Sequence, residues 1–391
     1  MRILISAVSS ARSPSGICRH AASLARSLAE ARQSEHVTLL LGPWQASYFQ
    51  HAFGLRHTKL HVVTVDVRSN SFDRNLWYYR TLPDLAREHS ADAVHLSFPV
   101  PLHRERFSCP VLMSLHDLYP YDVPGNFGAA RVLFNRAFLR QCLRESDAVV
   151  CSSDFTRGRL KSVDPQAWRK AIRIHQGVSI DPQCSRMPSI PEINGRAFLL
   201  AVAQHRRNKN LALLVSAFAR FRDRDESNRR MRLVIIGAEG PETRTLRELI
   251  KRNSLQQQVV FQNALPDAEL CWLYRRCALL IAPSSIEGFG LPVAEALHCG
   301  SRVLCSDIPI FREIGGSRCS YFPLAQDNPA AGLTDAIHSA VRAPVVGTPA
   351  INRFSPATIA QQHIAVYSRL IAGDHQPLVE PGSTPYAEYA S

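Results

Sequence analysis

The chain has 391 residues, a formal net charge of +13 from 46 Lys and Arg against 33 Asp and Glu, and 46% hydrophobic residues. The length is long for one core and comfortable for two domains. No apolar run approaches the roughly 20 residues that span a bilayer, and no zinc-ligand spacing or aromatic RNA-binding motif accompanies the positive charge.

Arg2-Ile-Leu-Ile-Ser-Ala7 reads as a strand, too short for the core of a signal peptide. A polar loop ending Ser13-Pro-Ser-Gly16 leads into a helix with a stripe of Ile17, Ala21, Leu24 and Leu28, so Gly16 opens a helix directly after a strand. Further strands are expected near residues 37, 61, 93, 110, 147 and 172. After Asp181-Pro-Gln-Cys-Ser-Arg-Met-Pro-Ser-Ile-Pro191, proline-rich and without periodicity, the pattern restarts, with strands near 197, 232, 258, 278, 302 and 320. Short apolar strands alternating with helices predict an α/β chain with parallel sheets covered on both faces. A nucleotide would then bind at the carboxyl ends of the second sheet's strands, facing the first domain across a cleft.

In that second half, Ala197 to Ala203 is a buried-type strand followed by the basic loop Gln204-His-Arg-Arg-Asn-Lys-Asn210 and the helix Leu211 to Phe221. Only five of the 46 basic residues are lysines, so Lys209 stands out. With Arg206 and Arg207 it suits a diphosphate, although a solvated basic loop has the same composition. The most informative stretch is Glu287-Gly-Phe-Gly-Leu-Pro-Val-Ala-Glu295, two carboxylates eight residues apart around a turn between a strand, Ala278 to Pro283, and a helix, Pro292 to Cys299. The start of that helix offers backbone N–H groups to a phosphate or to sugar hydroxyls. Surface acids favoured by the helix dipole would look similar, but Phe289 and Leu291 in a tight turn are expected to need a cover. A last helix is announced by Ser355 as N-cap and Pro356 in the first turn, with a stripe of Ile359, His363, Val366, Tyr367 and Leu370 that requires a surface to bury it.

The order and spacing of these segments resemble the family-4 retaining glycosyltransferases. The pattern runs from Pro14-Ser-Gly-Ile17 through Leu115-His-Asp-Leu-Tyr-Pro120, Ser146-Asp-Ala-Val-Val150, Ser153-Asp-Phe-Thr156 and Gln176-Gly-Val178. It continues with Lys209-Asn-Leu211, Leu233-Val-Ile-Ile-Gly237, Pro283 to Pro292 and Ala294-Glu-Ala-Leu-His-Cys-Gly300. The resemblance implies the GT-B architecture of two Rossmann-like, doubly wound domains facing each other across a cleft. It divides the chain into an acceptor-side domain at 1–180, a linker at 181–195, a nucleotide-sugar domain at 196–353, a helix at 354–373 crossing back to the first domain, and a tail at 374–391 whose composition suits disorder.

By the same resemblance, Glu287 and the backbone of Gly288, Phe289, Gly290 and Leu291 hold the donor sugar and distal phosphate. Glu295 binds the ribose, Lys209 neutralises the diphosphate, Gly16 allows close approach of the first loop, His116 faces the donor sugar, and Leu265 falls at the nucleobase. Family members often carry arginine where Gln204 stands, which passes the second phosphate cation to Arg206 or Arg207; Asn263 and Ala238-Glu239 depart from the usual glycines. The implied function is transfer of a hexose, with a weak leaning to mannose, from GDP-mannose or a UDP-sugar to a saccharide or lipid-linked acceptor in polysaccharide or lipopolysaccharide synthesis. Breaking the anomeric bond develops negative charge on the diphosphate and positive charge on the ring. The resemblance implies retention by attack from the leaving-group side, with Glu287 as a positioning group.

No His-Glu-x-x-His or paired Asp-x-Asp set appears among the fifteen histidines, so metal independence is expected, with no cofactor beyond the donor. Ten scattered cysteines without a C-x-x-C pair read as reduced thiols of a cytoplasmic protein. Up to Pro191 there are 24 basic and 15 acidic residues, net +9, against 22 and 18 thereafter. A basic first domain suits peripheral contact with an anionic membrane face bearing the acceptor, and no nucleic-acid partner is expected. Two other readings stay open. One is a nucleotide-sugar-binding protein or epimerase on the same plan; the other is an NAD-dependent oxidoreductase with Asp307 as the ribose acid, disfavoured by the missing third glycine and by Pro292.

Overall fold

The computed structural model describes residues 1–10, 15–124, 129–343 and 352–374. The chain divides into two compact units, one formed by Met1–Ser179 together with the return segment from Asn352, the other by Ile180–Ile351.

The first unit carries β1 (Arg2–Ser6), β2 (His36–Leu41), β3 (Leu60–Thr64), β4 (Ala93–Leu96), β5 (Val111–Leu115), β6 (Ala148–Cys151) and β7 (Ala171–Arg173). They form one sheet in the order β3-β2-β1-β4-β5-β6-β7, parallel at every pairing. The second unit carries β8 (Phe198–Val202), β9 (Arg232–Ile236), β10 (Val259–Gln262), β11 (Leu279–Ala282), β12 (Val303–Ser306) and β13 (Ser320–Phe322). Its order is β10-β9-β8-β11-β12-β13, again parallel throughout. All thirteen strands fall where the apolar runs predict them, and both units are doubly wound α/β sheets.

The central strands are buried nearly end to end because helices cover both faces, whereas the edge strand β3, Leu-His-Val-Val-Thr, is exposed at His61, Val62 and Thr64. In the first sheet Ile3 and Ile5 face one core while Leu4 faces another, the period-2 alternation of a strand. The helix Pro356–Ile371 closes the first of these cores. Ser355 caps it by accepting from Thr358 N at 3.2 Å, and Ile359, His363, Val366, Tyr367 and Leu370 are all buried, packing with the helix Gly16–Glu30. The expected stripe is thus the buried face, and the surface it covers is the first sheet's own core. The proline-rich stretch after Ile180 lies in the second unit: Pro191–Ile193 is a 3-10 turn, Ile190 and Ile193 are buried, and Arg186 pairs with Glu269 at 2.7 Å.

Both sheets reverse their winding direction once, between β1 and β4 and between β8 and β11. At such a reversal the loops leaving the carboxyl ends of two adjacent strands turn to opposite faces and open a crevice where ligands bind. In the second unit those loops are 203–210 and 283–290, the two segments with the strongest chemical signals.

Candidate active site

The loop after β8 ends in a single 3-10 turn, Arg207–Lys209, and Asn210 adopts the left-handed conformation before the helix Leu211–Arg224 begins. Asn210 is one of three non-glycine residues with positive φ among the described residues; asparagine tolerates that region better than most side chains. Its amide then donates to Pro283 O at 2.9 Å. Asn208 works from the same turn: its carbonyl accepts from Ser285 N at 2.9 Å and its side chain donates to Ile286 O at 3.3 Å. The two crevice loops are therefore joined by hydrogen bonds between residues about 75 apart in sequence, which fixes Lys209 against Glu287.

Lys209 Nζ lies 2.5 Å from Glu287 Oε1, and Ser284 Oγ donates to the same oxygen at 2.7 Å. Ser284 is itself held by Ser306 at the end of β12, whose hydroxyl donates to Ser284 O. With the two side chains 18% and 12% exposed, the ion pair is partly desolvated and stronger than a surface pair. The sequence assigns Lys209 and Glu287 to different parts of a ligand; the structure joins them in one unit. A lysine has three donors, so the glutamate orients the ammonium and leaves it further protons to offer. Arg206 and Arg207 are exposed on the same loop.

The turn between β11 and the helix Leu291–His298 is built on Gly290, with φ +84° and ψ 46°. A Cβ there would also stand 2.8 Å from the Phe311 ring, so backbone and packing both demand glycine. Pro292 near the helix start has no N–H to satisfy, and the N–H groups of Val293 and Ala294 donate to Gly290 O at 2.9 and 3.2 Å. Gly288 and Phe289 are buried in this turn. The expectation that a ligand must cover Phe289 is corrected here: the ring is 3% exposed inside its own unit, because the turn folds it inward. Leu291 is half-buried.

Glu295, in the second turn of this helix, is 3% exposed and accepts from Tyr274 Oη at 2.8 Å through Oε2. Tyr274 comes from the helix Asp267–Arg276 and is fully buried, so sequence gave no sign of this partner. Leu265 lies half-buried in the loop between β10 and that helix, beside exposed Asn263 and Ala264. Asp307, the acid required by the oxidoreductase reading, is taken by Arg312 in a two-point contact with both distances 2.7 Å.

Gly16 and His116 belong to the first unit. Gly16 is exposed at the start of its helix, behind the N-cap Ser15, whose hydroxyl accepts from Cys18 N. His116, at the end of β5, is buried, with Nε2–H donating to Ser97 O at 2.8 Å and Nδ1 accepting from Gln176 Nε2 at 3.0 Å. Burial pulls its pKa down to about 4, so the ring is neutral at physiological pH. Ser97 and Gln176 orient it, whereas Asp117 accepts from Tyr119 N at 3.0 Å. Both nitrogens are engaged, so a ligand meeting this ring directly meets its edge or displaces Gln176.

All ten cysteines are free thiols. No helix among the described residues is long and apolar enough to cross a membrane.

Comparison with known families matches residues 14–182 to the family described as Glycosyltransferase Family 4 and residues 186–340 to Glycosyl transferases group 1. The chain is 23% identical over 319 residues to O-antigen chain mannosyltransferase B of Escherichia coli, covering 77% of this chain and 81% of that protein. Among solved structures, HepE of Anabaena in complex with UDP and glucose superposes with a TM-score of 0.69 at 18% identity, over 95% of this chain and all of that one. WaaG, a glycosyltransferase involved in lipopolysaccharide biosynthesis, superposes with a TM-score of 0.65 at 18% identity, over 95% of this chain and 98% of that one. At these identities the superpositions establish a shared fold.

Proposed function

Since the chain belongs to the family-4 glycosyltransferases, with group 1 and family 4 segments along most of its length and the GT-B plan of two Rossmann-like units, we propose that it is a retaining hexosyltransferase. It moves a sugar, mannose first among the candidates, from a nucleotide diphosphate donor to a saccharide or lipid-linked acceptor in O-antigen or related surface-glycan synthesis. The observation that carries this reading is the Lys209–Glu287 pair at the reversal point of the second sheet, beside the start of the Leu291–His298 helix. Mannose is preferred because the relative matched over most of both chains is a mannosyltransferase; HepE, with UDP and glucose, makes UDP-glucose the competitor.

In this mechanism the departing diphosphate meets Lys209, Arg206 or Arg207, and the N–H groups around Gly290, which stabilise the charge that grows as the anomeric bond breaks. Glu287 fixes both the ammonium and the sugar. Glu295, held by Tyr274, takes the ribose hydroxyls, and Leu265 lies against the base. The acceptor oxygen attacks from the leaving-group side as its proton passes to the diphosphate oxygen, giving retention. The fixed cations act without a metal in this scheme.

The acceptor is delivered at the inner face of the cytoplasmic membrane. The helix Ser71–Arg80 exposes Phe72 at 77%, with Leu76 and Tyr79 on the same face and Arg68 and Arg80 exposed nearby, a combination that suits an anionic lipid surface. The test is transfer from GDP-mannose and UDP-glucose, in EDTA, to a lipid-linked acceptor pool, with the product anomer assigned by NMR. An α-linked product from an α-linked donor supports retention. Hydrolysis or epimerisation without transfer would refute the reading.

A further inference from the structure

Four imidazoles that sequence leaves far apart meet inside the first unit. His20 lies on the helix Gly16–Glu30, His95 on β4 and His363 on the helix Pro356–Ile371, all buried. One ring nitrogen from each lies within 4.8 Å of the others. His363 Nδ1–H donates to Ile359 O at 2.8 Å, which leaves the lone pair on Nε2, and that buried atom has no hydrogen-bond partner among the described residues. His95 Nε2 is 2.8 Å from Ser114 Oγ, and His20 Nε2 is 3.5 Å from the same oxygen. A buried lone pair with no donor is destabilising, so an electron-pair acceptor at this point would be stabilising.

From this convergence we propose that His20, His95 and His363 bind one divalent transition-metal ion, zinc by ligand type, which staples the closing helix to β4 and to the first helix. Ligands at zinc–nitrogen distances of about 2.0–2.1 Å stand roughly 3.4 Å apart on a tetrahedron, so the rings close inward by rotation about their side-chain bonds. Two of the three already have the outer contact that orients a metal-binding imidazole: Ile359 O behind His363, and Tyr367 Oη, 2.6 Å from Nδ1, behind His95. His116 packs edge-on against His20 with centroids 4.8 Å apart, but its two nitrogens are committed to Ser97 and Gln176, so it is not a ligand. The fourth position falls to Ser114 Oγ or to a water; as hydroxide, that water would halve the charge left by three neutral ligands. The ion is structural, outside the transfer chemistry.

The full-length protein, stripped with EDTA and dialysed, is titrated with zinc and with cobalt at neutral pH. The expected result is one ion per chain and a melting temperature raised by about 5 °C at a hundredfold excess over Kd. Cobalt should give the intense visible bands of a four-coordinate ion without a near-ultraviolet thiolate band. His363→Gln should weaken binding at least about a hundredfold, while the control His51→Gln, at an exposed histidine, should not. Absence of a melting shift, a thiolate band that places the ion on cysteine, or equal affinity in His363→Gln would overturn the proposal. Should His363→Gln fail to fold, the cobalt spectrum of the unaltered protein decides alone.

Discussion

The two glycine turns of this molecule look alike in sequence and differ in what constrains them. Gly16 and Gly290 both open a helix after a parallel strand. Gly290 has φ +84° and the Phe311 ring where a side chain would begin; a Cβ on Gly16 would meet no described atom within 4 Å, and its φ is not positive. Among the described residues, packing therefore requires the second glycine and places no atom against the first. The resemblance implies that Gly16 is needed for a ligand's approach, and substitutions at the two glycines test folding against binding.

The largest effect is expected at the charge pair. Lys209→Ala should lower transfer by about 10²–10³-fold, or about 3–4 kcal/mol of transition-state stabilisation, and weaken nucleotide binding. Glu287→Gln should lose most transfer and retain nucleotide binding; steady-state kinetics beside calorimetric titration would distinguish the two, and normal turnover in either variant would remove that residue from the site. Next comes Gly290→Ala, which forces an alanine into the left-handed region and displaces Phe311. It should cost about 2–4 kcal/mol in denaturant unfolding of the second unit. Tyr274→Phe leaves a buried oxygen of Glu295 without this donor and should cost about 1–3 kcal/mol, measured the same way, with nucleotide affinity falling in parallel. Gly16→Ala should leave stability within about 0.5 kcal/mol and reduce turnover; loss of stability there would break the contrast with Gly290.

Much of the second unit's candidate site was legible because its signals are local. The strand, the glycine turn and the two acids lie in one stretch, and Lys209 follows β8 directly. The pairing of Lys209 with Glu287 was not legible, since it depends on Asn208 and Asn210 reaching the other loop. Phe289 misled for the same reason: a ring in a glycine turn is exposed or buried according to how the turn folds, which residue type does not encode. Tyr274, eight residues into a helix otherwise read as ordinary, carried no signal at all.

By itself the sequence determined the thirteen strands, the doubly wound parallel sheets, the capped closing helix and the family, because hydrophobic period, caps and turn residues act over a few neighbouring positions. Tertiary structure alone decided which groups meet. His20, His95 and His363 are separated by 75 and 268 residues, and only the order of the first sheet and the return of the chain to its core bring three imidazoles to one buried point.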